Sequence, residues 1–318
     1  MTKHVVLGGR GFIGRHVALL LARRGDSVTL LDRTEGPIMP EFEGLDARFI
    51  EADITTSDWY DHVAKCDVIH HYAWSTVPAT ANADPLGDLD QNVRSTLGLL
   101  ETLRKLPRKT LIFASSGGTV YGHLQHSPVP ETHPLHPMTA YGVSKLSVEL
   151  YLGYYRSLYG MDCRIARIAN PYGAGQNPHG SQGAASAFLF KAMAGKPIEI
   201  WGDGTVVRDY IHISDLALGL IRLTDANLGS HSVMPIFNIG SGQGVSLNDI
   251  VAELRRQLDT PITVCHQPGR QFDIPVSVLD ISSAFKQLAW RPQLSLEAGY
   301  RRMIADLLAG RDMISLLH

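Results

Sequence analysis

Cysteine is scarce in this chain. Three occur in 318 residues, at Cys66, Cys163 and Cys265, with no CxxC pair and no His/Cys ligand spacing. That excludes a disulfide framework and argues against a structural zinc site; each thiol is expected to be a small buried apolar residue. Long apolar runs are missing as well. The longest, such as Val17–Ala22, fall far short of the ~20 residues a membrane span needs, and Val5–Leu7 runs straight into glycine, so it is no signal-peptide core. Nor does one sign of charge dominate: 29 Lys+Arg face 31 Asp+Glu, for a net charge of −2 and a pI near 6.7. The cationic excess that drives nucleic-acid or anionic-membrane binding is therefore lacking. No metal is implied, there is no internal repeat or low-complexity tract, and a soluble, cytoplasmic protein is expected.

What is present is an ordinary globular composition, 44% hydrophobic and 19% charged. At ~150 residues per domain the length suits one large α/β unit or two lobes. Through residues 1–170 strand-like runs alternate with helix-like ones. The strand-like runs are His4–Leu7, Ser27–Leu31, Ala47–Ile50, Val68–Tyr72, Thr110–Ala114 and Cys163–Ile168. Ile13, Val17, Leu20 and Leu21 trace one face of the first helix, which Gly25 ends. Such alternation implies right-handed crossovers and a doubly wound parallel sheet. After Asn170 the pattern changes. Pro171–Gly183 reads as an irregular loop, followed by a helix near Ala184–Ala194, a strand at Ile198–Trp201, a turn at Gly202–Gly204, and helices at Ser214–Leu223 and Leu247–Leu258. Residues 171–318 are expected to form a smaller lobe, with parts of 205–245 returning to the first.

The first strand leads into Gly8-Gly9-Arg10-Gly11-Phe12-Ile13-Gly14. Gly8 permits a tight turn, Gly11 lets the backbone approach a pyrophosphate, and Gly14 packs helix against strand. The helix start, at Gly11, Phe12 and Ile13, offers unpaired N–H groups to phosphates. Asp32, at the end of the second strand, is placed to accept hydrogen bonds from a ribose 2′-OH, which favours NAD; the neighbouring Arg33 could instead accommodate a 2′-phosphate. Asp53 and Ile54 are weaker candidates for the adenine edge, a turn or N-cap role for Asp53 being nearly as good.

Of the 11 tyrosines only Tyr141 has a lysine four residues on, Lys145. On a helix the two share a face, and a fixed cation beside a phenol favours the phenolate. Tyr141 is thus a candidate base for a hydroxyl whose carbon gives hydride to a nicotinamide.

Together, Gly-x-x-Gly-x-x-Gly and Tyr141-x-x-x-Lys145 resemble the short-chain dehydrogenase/reductases. The length and later motifs resemble the extended branch, the NAD-dependent epimerase/dehydratase family, and within it the UDP-glucose 4-epimerase-like enzymes. Matching stretches span nearly the whole chain: Val68-Ile69-His70, Asn92-Val93, Ser115 to Gly122, Arg167 to Gly173, Gly202-Asp203-Gly204, Arg208-Asp209-Tyr210, and Arg270 with Asp273. The resemblance implies a Rossmann-like doubly wound sheet with a smaller C-terminal α/β substrate lobe, NAD as cofactor, and a UDP-hexose or other nucleotide sugar as substrate. A homodimer is expected by analogy. Tyr141 would be the base, Lys145 would hold the nicotinamide ribose, and Asn92 would touch the cofactor. Asn170 would contact the substrate, Arg208 and Arg270 would clamp its diphosphate, and Asp273 would lie beside them. An ion pair of Arg208 with Asp209, or of Arg270 with Asp273, is the plain alternative. Trp201 is expected in the core, with nucleobase contact as the lesser reading.

The chain also departs from the family. Four residues before Tyr121 the family places a catalytic Ser or Thr, and here Gly117 stands. Ser116 is the substitute expected to touch catalysis and substrate, with Thr119 as fallback. Gly118 and Thr119 occupy the positions of the dehydratase Asp-Glu pair, which argues against 4,6-dehydration. His70, His71 and His179 could serve as extra acid/base groups, although packed or solvated roles fit them better. Ser277 replaces the bulky tyrosine of glucose-specific bacterial relatives, leaving room for a 2-N-acetyl group. A sugar-nucleotide oxidoreductase would use the same Tyr and Lys, and a catalytically silent NAD-binding protein would need neither.

Overall fold

The computed structural model describes residues 1–33, 36–37, 39–56, 58–177, 183–228, 234–269 and 274–309. Six strands of its main sheet come from the first 168 residues: β1 (Lys3–Leu7), β2 (Ser27–Asp32), β3 (Ala47–Glu51), β4 (Val68–His71), β5 (Thr110–Ser116) and β6 (Asp162–Ile168). The seventh is Ile236–Ile239, and all run parallel in the order β3-β2-β1-β4-β5-β6 and then Ile236–Ile239. The chain winds outward from β1 to β3, then crosses back to β4. The crevice at the carboxyl ends of β1 and β4 is therefore the switch point at which such sheets bind ligands.

Strand alternation feeds two cores. Val6, Leu30, Ile112 and Ala114 face helices α1 (Phe12–Arg23) and Ile213–Asp225, whose Val17, Leu21, Leu216 and Leu220 complete that layer. Val5, Leu7, Ile69, Leu111 and Phe113 face the opposite layer, built on Leu99, Leu103, Val148 and Leu152 of helices Ser95–Leu103 and Ala140–Tyr159. Burial on both faces is why these strands read as continuous apolar runs.

The remaining residues build a smaller sheet around Val207–His212, flanked by Asn170–Tyr172, Gly244–Ser246 and Val276–Ser277. Ile198–Trp201 pairs with Val264–Gln267. A third core lies here, with Tyr172, Phe188, Ile200, Leu254 and Tyr300.

Several expectations shift. β5 runs two residues further than expected, because Ser115 and Ser116 pair with Arg167 and Ile168 of β6. The segment expected to be wholly irregular from Pro171 opens inside a strand, anchored by the buried Tyr172 ring between His212 and Tyr300. Trp201 is not a core residue: its strand alternates Ile198 and Ile200 inward with Glu199 and Trp201 outward, leaving the indole 43% exposed. Cys66 and Cys163 are buried, but Cys265 is exposed.

Candidate active site

The glycine loop forms a cradle that side chains would fill. Gly8 has φ +77°, and a β-carbon there would lie 2.8 Å from the Ala73 nitrogen. One on Gly14 would lie 2.1 Å from the Gly8 carbonyl oxygen, so α1 can approach β1 only without it. Gly11 caps α1 with no side-chain acceptor, and no acidic residue follows in the first turn. The N–H groups that open the helix, from Phe12 and Ile13 onward, are left to an anionic ligand. A cavity of about 1840 Å³ runs from this cradle past Gly11, Asp32, Arg33, Asp53 and Ile54 to Trp74 and Ser75.

The acidic residues along it do double duty. Asp32 accepts a hydrogen bond from the Arg10 backbone N–H at 3.0 Å, tying the glycine loop to the end of β2. Arg10 in turn stacks its guanidinium 4.0 Å above the Phe49 ring. Asp53 accepts from the Thr55 backbone N–H and hydroxyl, at 2.8 and 2.7 Å, which holds its carboxyl below the usual range. It is a turn residue that also lines the groove. Asn92 is buried, and its amide serves the 75–76 loop: Oδ1 accepts from Ser75 N at 2.9 Å, and Nδ2 donates to Thr76 and Asp88. Here it shapes the wall of the groove from behind.

Tyr141 and Lys145 sit in the first turns of the helix Ala140–Tyr159, whose N-cap Thr139 accepts from Gly142 N at 3.1 Å. Only glycine fits at 142, because a β-carbon would meet the Thr119 carbonyl oxygen at 2.7 Å. Lys145 Nζ donates to the Ala114 carbonyl at 2.8 Å and lies 5.7 Å from the Tyr141 ring centre. Burial raises the Tyr141 phenol, and the Asp88 charge adds to this. Burial also drives the Lys145 ammonium well below its usual range, against the pull of Asp88 and Glu149. The expectation that Lys145 simply lowers the tyrosine pKa is thus incomplete, since desolvation of both groups is the larger effect.

Ser116 belongs to the strand alternation of Ile112 and Ala114, whereas Ser115 points to the helix Ala140–Tyr159 and donates to its Glu149. Gly117 has no space for the missing hydroxyl: a β-carbon would lie 2.6 Å from Leu279 Cδ1 and 3.2 Å from the Ile168 carbonyl oxygen. Thr119 Oγ1 is buried without a hydrogen-bond partner among the described residues.

The substrate-side candidates gather on the smaller sheet. Asn170 pairs in register with Tyr210 and donates to the Asp209 carbonyl at 2.9 Å. Arg208 lies beside Ser277 in register and donates to the Ile274 carbonyl at 2.6 Å. Asp209 instead directs its buried carboxylate at Ser241, Gly242 and Leu279, stapling two loops to this strand. Arg270, Asp273 and His179 lie outside the described residues. His70 is fully buried between His4 and Tyr72, at 3.1 and 3.0 Å, and His71 hydrogen-bonds Thr96 at 2.8 Å, so both are packed groups.

Sequence reasoning missed three contributors. Trp74 covers Lys145, with Nζ 3.6 Å from the indole centre; its position just past β4, at the carboxyl end of the sheet, was the available signal. Asp88 accepts from Ser144, Thr76 and Asn92, next to the Tyr141–Lys145 pair. Glu149, on the same helix, is locked to the buried Arg167, which also reaches the Tyr121 hydroxyl at 3.1 Å. Neither carboxylate carries a motif of its own.

Known proteins resemble this chain in sequence and fold. The model of the NAD dependent epimerase/dehydratase family matches residues 4–240. The chain is 32% identical over 307 residues to the putative UDP-glucose 4-epimerase of Methanocaldococcus jannaschii, covering 94% of this chain and 96% of that one. It is 30% identical over 311 residues to the dTDP-4-dehydro-6-deoxyglucose reductase of Escherichia coli, covering 95% and 96%. The structure of UDP-glucose 4-epimerase from Thermotoga maritima with UDP-glucose superposes with a TM-score of 0.87 at 30% identity, covering 97% and 99%. NAD is the cofactor of the matched family, and the glycine cradle, the open helix terminus and the groove-lining Asp32 fit it. With the parallel sheet, the cradle and the Tyr141–Lys145 pair in place, this chain is a UDP-glucose 4-epimerase-like member of the NAD-dependent epimerase/dehydratase family.

Proposed function

We propose that the protein is an NAD-dependent nucleotide-sugar 4-epimerase acting on UDP-hexoses or UDP-N-acetylhexosamines. The observation that carries this reading is Tyr141 and Lys145 on one helix face, both against Trp74, which lines the cavity that runs from the glycine cradle. When bound, NAD supplies a hydride acceptor and donor for C4 and is regenerated in each cycle. The Tyr141 oxygen takes the proton of the sugar 4-OH and returns it after the keto sugar has turned over. Lys145, protonated, favours the phenolate. Gly8, Gly11, Phe12, Ile13 and Gly14 hold the pyrophosphate, and Asp32 holds the adenosine ribose, with Arg33, Asp53 and Ile54 around it. Arg208 and Arg270 clamp the substrate diphosphate, Asn170 contacts the substrate near its phosphates with Asp273 beside them, and Ser277 leaves room for an N-acetyl group.

Incubation with UDP-glucose and UDP-N-acetylglucosamine, followed by NMR at C4, tests the proposal. Inversion with no net NADH is expected, and Tyr141→Phe should abolish it while retaining NAD. Near-full turnover in that variant would refute the mechanism. A second reading, a 4-keto-sugar reductase, is favoured by the similarity to the E. coli reductase. Stoichiometric consumption of NADH with a 4-keto sugar would establish it instead.

We further infer a homodimer. The helix Ala140–Tyr159 presents Leu150, Tyr154 and Leu158 as one exposed stripe, 67%, 51% and 58% exposed, at the i, i+4, i+8 spacing of a helix-packing surface.

A further inference from the structure

Lys145 is a cation with almost no polar company. It is 4% exposed, and its one hydrogen bond among the described residues goes to the Ala114 carbonyl. The rest of its surroundings is aromatic. Nζ lies 3.6 Å from the centre of the Trp74 indole and 4.9 Å from that of Phe113, and Tyr141 meets the same indole edge-on at 6.0 Å. Trp74 also lines the cofactor groove.

The charged and titratable groups packed around the pair come from four elements. Asp88, in the short helix Pro85–Asp88, is taken up by Ser144, Thr76 and Asn92. Glu149, on the catalytic helix, is held by Arg167 of β6 and by Ser115 of β5. His71 of β4 bonds Thr96. None of these hydrogen bonds goes to Nζ, so both carboxylates act on it only through space. An ammonium taken out of water needs compensation at contact distance, and the indole face, the strongest π surface among side chains, provides it.

We propose that Trp74 keeps Lys145 an ammonium in this dry site and, through it, sets the pH at which Tyr141 gives up its proton. Trp74 is then a positioning residue for the base, and the inference rests on the Tyr141–Lys145 reading above. An aliphatic side chain would fill the same space and exclude water equally well, but it offers no quadrupole to the cation.

The test titrates the NAD-loaded protein and follows phenolate absorbance in the near ultraviolet, taking Tyr141 as the difference from Tyr141→Phe. In Trp74→Leu the onset should move up by about one pH unit, with Trp74→Phe lying between it and the wild type. Fluorinated tryptophans weaken the π face without changing its shape, so they preserve packing if the leucine variant fails to fold. The onset should climb with each fluorine in the wild-type background and stay level in Trp74→Phe. An unchanged onset in folded Trp74→Leu, or a flat fluorine series, overturns the proposal. Because the readout is a proton rather than turnover, a protein that fails to epimerise still decides the matter. Normal epimerisation with a flat titration sinks the role of Trp74 alone.

Discussion

Leu279 fills the space that a side chain at Gly117 would need, its Cδ1 lying 2.6 Å from the ideal β-carbon position. Leu279 is itself buried in the core beneath the site. The loss of the family hydroxyl here is therefore not a simple deletion: the volume has been taken over from the far end of the chain.

Restoring the hydroxyl should accordingly harm the protein. Gly117→Ser is expected to lower stability by about 1–3 kcal/mol, as overpacking does, measured by urea unfolding. Adding Leu279→Ala should recover part of this, but not all, because the Ile168 carbonyl oxygen, 3.2 Å away, belongs to the backbone of a paired strand and still crowds the new side chain. A Gly117→Ser protein as stable as the wild type would show that the loop has room after all.

Asp32 should decide between the two dinucleotides. It lines the groove next to the exposed Arg33. Removing the carboxylate in Asp32→Ala should weaken NAD binding and strengthen NADP binding, changing their ratio by about tenfold, equivalent to about 1.4 kcal/mol. Fluorescence titration with both reads this directly. An unaltered ratio would mean that the carboxylate has no part in choosing the dinucleotide.

Acid should unfold the protein through its histidines. Burial pushes His71 and His212 down to about 3 and also lowers His4 and His70, against an ordinary value of 6.5. Between those limits the unfolded chain binds the extra protons. Stability is thus complete above pH 6.5 and falls as the pH drops toward 3, by about 1.4 kcal/mol per pH unit for each such histidine. Denaturant melts between about pH 7 and pH 5 measure the slope. His71→Gln, which can keep the Thr96 contact, should flatten it by about one proton. A level profile across this range would contradict the buried, neutral state of these rings.

The Ala140–Tyr159 helix should carry the subunit contact. Leu150→Glu with Leu158→Glu places two charges in its exposed stripe, and sedimentation should show monomers where the wild type is dimeric. A monomeric wild type at micromolar concentration would remove the basis for a dimer.

Much of this molecule is legible in the order of its residues. The crossovers, the glycine cradle and the shared face of Tyr141 and Lys145 all rest on spacings of a few residues, and the fold reproduces them. Ser116 and Asn92 show where such reading stops. Ser116 is adjacent to the vacated position, but strand alternation turns its face away from Ser115 and the helix Ala140–Tyr159. Asn92 matches a family stretch, yet its amide is turned inward to hold Ser75 and Thr76.

Local periodicity determined the parallel sheet, the glycine turn and the shared helix face of Tyr141 and Lys145, because β-strand and helix repeats act between neighbours along the chain. Tertiary packing alone decided that Trp74 would roof Lys145, that Leu279 would fill the hollow at Gly117, and that Glu149 would be tied to Arg167. Each of these joins side chains far apart in sequence, and close packing assigns such partners by shape and volume, for which no short motif exists.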